Sequence, residues 1–219
     1  MIHVGLTGNI ASGKSTVAQL LVAHGAELVD ADVLARHAVR VGTPGLAAIV
    51  ERWGPDVLAP DGTLDRASLR SRVFGDEAEL EALNAIVHPA VAQLREQEVA
   101  AARARGARVL VSDIPLLFER GLAHEFDCIV LVDAPREVRL ERLVHDRGLR
   151  APEAMAMIAA QMPAELKRAR ADFVVDNVGT REELAAKVAA TWEALLAEER
   201  KLTRERPRAR SLTPRVGAL

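Results

Sequence analysis

The residues that most constrain the fold of this chain lie between positions 8 and 16, where the sequence reads GNIASGKST. This stretch matches the pattern G-x-x-x-x-G-K-[ST], with Gly8, Gly13, Lys14 and Ser15 in the fixed positions. An apolar run before it predicts a buried strand, and apolar residues behind it recur at helical spacing. Strand, loop and helix in this order are the context that a phosphate-binding loop needs.

Phosphate binding by such a loop has an electrostatic basis. The backbone N–H groups of the loop turn inward around the anion, and the following helix adds unpaired donors and the positive end of its dipole. We expect the Lys14 ammonium to reach the outer phosphates and the Ser15 hydroxyl to hold Mg²⁺. A chance match in a glycine-rich turn is the weaker interpretation, because it does not account for the flanking strand and helix.

Composition narrows the class of protein. With 219 residues, of which 49% are hydrophobic, the chain can form one domain with insertions or two small ones. A net charge of −2 argues against a general nucleic-acid or membrane binder, and no apolar run approaches about 18 residues, the length of a membrane span. We therefore expect a cytoplasmic enzyme. The single cysteine, Cys128, lies in an apolar run, which favours a small core residue over a reactive thiol.

A second strand predicted at residues 27–30 leads into two carboxylates, Asp30 and Asp32. Asp32 occupies a position typical of a helix N-cap, and capping is one explanation of it. The other is catalytic, because ligands of open parallel sheets bind at the carboxyl ends of the strands, where a carboxylate can deprotonate a hydroxyl. Arg36, one helical turn later, has two interpretations as well: an ion pair within the helix, or a clamp for a substrate anion.

Residues 40–105 contain helical patterns and no strand signal, which predicts a helical insertion that binds substrate. Asp76 with Glu79 resembles a capping box at the start of one helix. His88 and Pro89 are expected to start the next, longer helix, so His88 is favoured as a helix-start residue over a catalyst.

The α/β pattern resumes with a strand that ends at Asp113, in the place of an acidic residue near Mg²⁺ in phosphate-loop enzymes, although any strand can end in aspartate.

A basic segment, 142–170, has a helical pattern. Its bland interpretation is a solvated helical face, but we favour a lid, since kinases neutralise the transferring phosphoryl group with arginine and exclude water from it. The pattern weakens beyond Leu196, and we expect a basic, disordered tail over 197–219.

At this point the chain resembles the dephospho-CoA kinase family, over roughly residues 1–196. Besides the phosphate loop, the resemblance rests on four stretches in order, which are Asp30-Ala31-Asp32 with Arg36, His88-Pro89, Pro115-Leu116-Leu117-Phe118-Glu119, and the segment 171–177. The resemblance implies an α/β P-loop kinase fold, in which a five-stranded parallel sheet is flanked by helices and carries a helical CoA-binding insertion and a helical lid. It places the core at 1–39, 106–141 and 171–196, the insertion at 40–105 and the lid at 142–170.

The resemblance also implies an activity, in which the γ-phosphoryl group of ATP is transferred, with Mg²⁺, to the ribose 3′-hydroxyl of dephospho-CoA. This reaction is the last step of coenzyme A synthesis. Asp32 is the implied base, with Lys14 and Arg142 as further catalytic residues. The implied nucleotide-binding residues are Gly8, Ala11, Ser12, Gly13, Lys14, Ser15 and Thr16. The implied substrate-side residues are Asp32, Arg36, His88 and Pro115, and the metal-side residues are Ser15 and Asp113. A monomer or weak homo-oligomer without nucleic-acid or membrane partner is expected.

The chain departs from the family pattern in the loop and in the lid. Asn9 and Ala11 stand where glycine is common, and because Ala11 has a Cβ we expect its φ to be negative. Met157 stands where the lid commonly has arginine, and Asp146-Arg147 is swapped from the usual order, so Arg142 is the lid arginine we expect at the phosphates.

Two alternatives remain at the level of sequence. One is a nucleoside monophosphate kinase or another metabolite kinase of the same fold, since the insertion sets substrate choice. The other is a nucleotide-binding switch, against which stand the basic lid and the lack of an Asn-Lys-x-Asp motif.

Overall fold

Five apolar segments pair side by side into one parallel sheet in the computed structural model, which describes residues 1–205. The strands are β1 (Ile2–Gly8), β2 (Glu27–Asp30), β3 (Val109–Asp113), β4 (Cys128–Asp133) and β5 (Phe173–Asp176). Their order across the sheet is β2-β3-β1-β4-β5. The fold class predicted from the sequence is confirmed.

Helices surround this sheet and account for most of the remaining chain. They are α1 (Lys14–Ala23), α2 (Ala31–His37), α3 (Pro44–Trp53), α4 (Arg66–Val73), α5 (Glu77–Arg105), α6 (Arg136–His145), α7 (Ala151–Ala159), α8 (Ala164–Arg168) and α9 (Arg181–Glu205). No helix among residues 1–205 has the length and apolar character needed to cross a bilayer.

The central strands are buried on both faces, which is why β1, β3 and β4 are nearly continuous apolar runs. Alternate side chains of β1, such as Val4 and Leu6, pack with α1 and α9 in the main core. Cys128 lies in the same core, and burial raises the pKa of its thiol to about 12, as expected of a structural cysteine.

The insertion forms a second apolar cluster of its own, built from α3, α4 and the first half of α5 around Ile49 and Val57. Helix α5 runs unbroken through Pro89, so the prediction that His88 and Pro89 start a helix is wrong. Residues on both sides of Pro89 pack against the same cluster, from Ala82 to Leu94, and this burial outweighs the hydrogen bond that proline removes.

Helix α9 extends to Glu205, past residue 196 where we expected the regular pattern to end. Leu196 is buried, Leu202 packs on the main core, and the Glu199 carboxylate accepts a hydrogen bond of 3.0 Å from Arg108 Nη2. These contacts explain why residues 197–205 are helical, and the expected disorder is wrong for them. The rest of the predicted tail, 206–219, lies outside the described residues.

A buried histidine in β1 makes stability depend on pH. His3 is hydrogen-bonded through Nε2 to Ser112 Oγ at 2.8 Å. Burial, and then the charge of Arg95, lower its pKa from 6.5 to about 4. Between pH 6.5 and pH 4 the imidazole of His3 is protonated in the unfolded chain but not in the folded chain. Stability is therefore lost as the pH falls through this range.

We predict that this histidine alone removes about 2 kcal/mol of folding free energy between pH 7 and pH 5. Chemical denaturation of the protein at both pH values measures the loss. His3→Gln and His3→Asn should flatten the pH dependence over this range, whatever they do to stability at pH 7. An unchanged slope in both variants would show that His3 is not the responsible group.

Candidate active site

Four of the five strands end in an aspartate at the same edge of the sheet. These residues are Asp30, Asp113, Asp133 and Asp176, which end β2, β3, β4 and β5. They are paired across the sheet, Asp30 beside Asp113 and Asp133 beside Asp176. The phosphate loop leaves β1 between the two pairs. Ligands of open α/β sheets bind at this edge, so it is the candidate active site.

One of these pairs shares a single arginine. Arg168 Nη1 donates to Asp133 Oδ2 at 2.9 Å and to Asp176 Oδ1 at 2.5 Å. These hydrogen bonds raise the pKa of Arg168, and the hydrogen bond to Asp176 has the larger effect. Arg168 is therefore paired with carboxylates of the protein itself, unlike Arg142, the arginine of 142–170 expected at the phosphates.

The other pair is left with an excess of negative charge. The Lys14 ammonium donates to Asp113 Oδ1, while Asp30 and Asp32 add two further carboxylates nearby. Burial raises the pKa of Asp113, and the hydrogen bond from Lys14 opposes that rise. One ammonium is set against three carboxylates here. No three such groups within residues 1–205 converge closely enough to hold a metal ion alone, so a divalent cation would need phosphate oxygens as further ligands.

The cap of α2 is Asp30 and not Asp32. Asp30 Oδ1 accepts from the backbone N–H groups of Asp32 at 2.8 Å and Val33 at 3.2 Å. Asp32 lies in the first turn of α2 with its side chain exposed. The capping interpretation of Asp32 is wrong, because the helix begins at Ala31, one residue after the strand ends, and only Asp30 is placed to cap it.

The phosphate loop presents unpaired backbone donors. No acceptor within residues 1–205 meets the backbone N–H groups of Ala11, Gly13, Lys14 or Ser15. Gly13 has φ 89°, and a Cβ there would collide with the side-chain amide of Asn177. These free donors at the start of α1 form the cradle that an anion needs.

Ala11 adopts φ 59°, so the expectation of a negative φ is wrong. The left-handed conformation is held from outside the loop. Arg142 Nη1 donates to Ala11 O at 3.1 Å and Arg142 Nη2 to Asn177 O at 3.1 Å, while Asn177 Nδ2 donates to Ser12 O at 2.7 Å. Arg142 and Asn177 thus fix the back of the loop, at a conformational cost of about 1–2 kcal/mol in Ala11.

A cleft of about 440 Å³ opens beside the loop. The predicted residues that line it are Ala11, Gly13, Ser15, Thr16 and Arg142. Sequence reasoning missed Arg147, Asn177, Thr180 and Arg181, which line it too. For Thr180 the sequence does carry a signal, because Thr180 and Glu183 have the spacing of a capping box at the start of α9. The structure contains this box: the Thr180 N–H donates to Glu183 Oε2 at 2.9 Å, and the Glu183 N–H donates to Thr180 Oγ1 at 3.2 Å.

A second cavity, of about 360 Å³, lies on the Asp32 side of the sheet edge and is walled by the insertion. This cavity, called the acceptor cavity below, is lined by three of the four predicted substrate-side residues: Asp32, His88 and Pro115. The fourth, Arg36, is exposed and does not line it. Burial, and then the charge of Arg120, lower the pKa of His88. The additional polar residues in its wall are Arg66, Asn84 and Arg120. They were missed because they come from distant parts of the chain that show no common spacing.

The lid segment is tied to both the phosphate loop and the acceptor side. The Ile10 N–H donates to Gln161 Oε1 at 2.8 Å. The Met162 N–H donates to Glu119 Oε1 at 3.2 Å, and the fully buried Lys167 is paired with the same carboxylate oxygen at 2.7 Å. Lys167 is therefore a structural cation that joins α8 to the loop after β3, and not a phosphate ligand.

Comparison with known proteins agrees with this geometry. The family model described as dephospho-CoA kinase matches residues 2–183. The dephospho-CoA kinase of Thermobifida fusca (strain YX) is 50% identical over 195 residues, which are 89% of this chain and 96% of that protein. That of Streptomyces avermitilis is 53% identical over 197 residues, 90% of this chain and 95% of its own. The chain belongs to the dephospho-CoA kinase family.

Solved structures show the same architecture. The crystal structure of TT1252 from Thermus thermophilus has a TM-score of 0.75 at 40% identity and covers 90% of this chain and 97% of its own. The dephospho-CoA kinase from Campylobacter jejuni has a TM-score of 0.63 at 20% identity and supports the fold alone, over 88% of this chain and 96% of its own. Two predictions are confirmed: the family, and the class of enzyme, which is a phosphotransferase that uses ATP and an alcohol acceptor. The chain is therefore a kinase of a small-molecule substrate.

The catalytic role predicted for Arg142 can be tested separately from the structural role that its hydrogen bonds show. Arg142→Ala removes two hydrogen bonds to backbone carbonyls and one positive charge from the cleft. We predict a fall in kcat of about 10²-fold or more, the usual scale for a preorganised donor at a reacting group, with a loss of about 1–3 kcal/mol in stability.

Steady-state kinetics and chemical denaturation of the same preparation provide the two values. Arg147→Ala is the control, because Arg147 lines the same cleft but makes no hydrogen bond within residues 1–205. A reduced stability with an unchanged kcat in Arg142→Ala would leave Arg142 a structural role alone.

Proposed function

We propose that this protein transfers the γ-phosphoryl group of ATP to the ribose 3′-hydroxyl of dephospho-CoA, giving coenzyme A and ADP. The observation that carries the proposal is a charged cluster that connects the phosphate loop, whose residues line one cavity, with a carboxylate in the wall of the other. Lys14 of the phosphate loop contacts Asp113, and Asp113 interacts with Asp32, which lines the acceptor cavity. A donor in one cavity and an acceptor in the other would react between Lys14 and Asp32.

On the donor side, ATP would occupy the cleft beside the phosphate loop. The free N–H groups of Ala11, Gly13, Lys14 and Ser15 would bind the phosphates. Gly8 lets the loop pack closely against β4, since a Cβ there would lie 2.6 Å from Ser12 Oγ and Val132 O. Lys14 would move from Asp113 to the β- and γ-phosphates, and Arg142 would add positive charge at the rim.

The residues present also fit Mg²⁺. The unbalanced carboxylates around Asp113 supply negative charge, and the exposed Ser15 lies in the first turn of α1, next in the chain to the Lys14 that contacts Asp113. Mg²⁺ needs only one or two protein ligands, because substrate phosphates and water complete its octahedron. We propose Ser15 and Asp113 as its protein-side residues, where the ion would neutralise charge on the phosphate oxygens.

On the acceptor side, Asp32 would orient the ribose hydroxyl and accept its proton. His88 and Pro115 would bound the substrate from α5 and from the loop after β3. Arg36 remains a proposed substrate contact from the next turn of α2, outside the cavity wall. The division into a core, a substrate-binding insertion (40–105) and a lid (142–170) belongs to the same proposal.

The net charge of −2 supports action without a nucleic-acid or membrane partner. We propose a cytoplasmic enzyme that works as a monomer or weak homo-oligomer.

Lys14 tests the donor site. Lys14→Met keeps the apolar stem but removes the ammonium, so we predict a loss of activity of about 10²-fold or more. Asp113 would lose its partner, and circular dichroism should show a folded protein. Release of ADP in the presence of Mg-ATP and dephospho-CoA is the assay. Full activity in the folded variant would remove Lys14 from the reaction.

Asp32 tests the acceptor site. Asp32→Asn retains the size of the side chain and removes the base, so phosphoryl transfer should fall by about 10²-fold, with stability and ATP binding retained. A loose transition state would reduce this loss, because the hydroxyl then needs little deprotonation before attack.

Asp30→Asn is the matched control, with the same change of charge two residues away. Because asparagine caps helices as well as aspartate does, α2 should persist in this variant. Transfer lost in Asp30→Asn but retained in Asp32→Asn would assign the base to Asp30.

A further inference from the structure

The acceptor cavity has a neighbour along α5, and the two share part of their walls. The second cavity, of about 430 Å³, is bounded by α5 and by the segment that follows Glu119. His88, Val91 and Arg120 line both cavities. From Asn84 in the first to Arg95 in the second, α5 rises by about 16 Å at 1.5 Å per residue. The two cavities together suit an elongated ligand.

The chemistry of the walls changes in order along this path. Asp32 stands at the end nearest the phosphate loop. Arg66 and Arg120 follow in the wall of the acceptor cavity. The second cavity adds apolar surface from Ala92 and Leu122 and is limited by Arg95, which is paired with Glu125. Arg120, which lines both cavities, therefore stands at their junction, with the Asp32 carboxylate in the first cavity and the apolar wall and the neutralised ion pair in the second.

The two central arginines carry uncompensated charge. Arg66 and Arg120 make no side-chain hydrogen bond or ion pair within residues 1–205. Arg120 stands close enough to His88 for its charge to act on the imidazole. Arg95, in contrast, is buried and balanced by Glu125. The positive charge available to an anion thus lies in the acceptor cavity and at its junction with the second cavity.

We infer that the second cavity binds the arm of the acceptor that lies beyond its diphosphate, and that Arg120 at the junction binds the diphosphate itself. The inference rests on the proposed function, which supplies an acceptor with this order of groups: a ribose hydroxyl, a diphosphate, and a neutral chain of amides and methylene groups. The hydroxyl lies at Asp32, the diphosphate between Arg66 and Arg120, and the arm against Ala92 and Leu122. Binding of the arm makes this site select long acceptors over plain nucleotides.

Ala92 provides the test. Ala92→Trp fills the second cavity without touching the acceptor cavity, whose wall does not include residue 92. We expect the KM for dephospho-CoA to rise by about 10-fold or more, as for a side chain forced into occupied space. The KM for ATP and the inhibition constant of AMP, a truncated acceptor competing with dephospho-CoA, should stay unchanged. Gln93→Trp is the matched control, since Gln93 is exposed on the same helix and lines neither cavity.

Ala92→Leu gives a smaller obstruction if the tryptophan variant does not fold, and its melting temperature verifies folding. An unchanged KM for dephospho-CoA in a folded Ala92 variant would overturn the inference and leave the proposed function intact. An equal rise for dephospho-CoA and AMP would overturn it as well, because the arm would not be the affected group. Failure of the unmodified protein to phosphorylate dephospho-CoA would instead overturn the proposed function.

Discussion

The structure depends on how negative charge is balanced at one edge of a parallel sheet. Parallel strands bring their carboxyl ends together, and four of them end in aspartate. Asp133 and Asp176 share Arg168, which comes from the lid side of the chain. Asp113 relies on Lys14 of the phosphate loop, with Asp30 and Asp32 close by. One half of the edge therefore has two carboxylates for one arginine, whereas the other half has three carboxylates for one lysine.

This asymmetry connects stability with chemistry. A carboxylate pair satisfied by an arginine within the protein has no need of a ligand and serves to attach α8 to β4 and β5. A buried carboxylate held by one lysine, with two neighbours of like charge, favours the arrival of a cation and phosphates. The phosphate loop lies between the two halves, and Arg142 and Asn177 hold it from behind.

The phosphate loop, the family and the sheet were predictable because their signals are local. A glycine-rich pattern, apolar runs of strand length and helical periodicity are all determined by neighbouring residues. Local signals were insufficient where two residues competed for one role. Asp30 and Asp32 are equally good caps by type, and only the register between the end of β2 and the start of α2 makes Asp30 the cap.

Sequence by itself therefore determined the strands, their order along the chain and the chemistry of the loop, but not that α5 runs unbroken through Pro89 or where α9 ends. Tertiary structure alone decided which charges are occupied, because residues far apart in the chain supply the partners: Lys167 pairs with Glu119, and Arg142 holds Ala11 at positive φ. It also decided the walls of the acceptor cavity, where Arg66, His88 and Arg120 converge from three segments. No spacing predicts such partners, since packing of the insertion against the sheet brings them together.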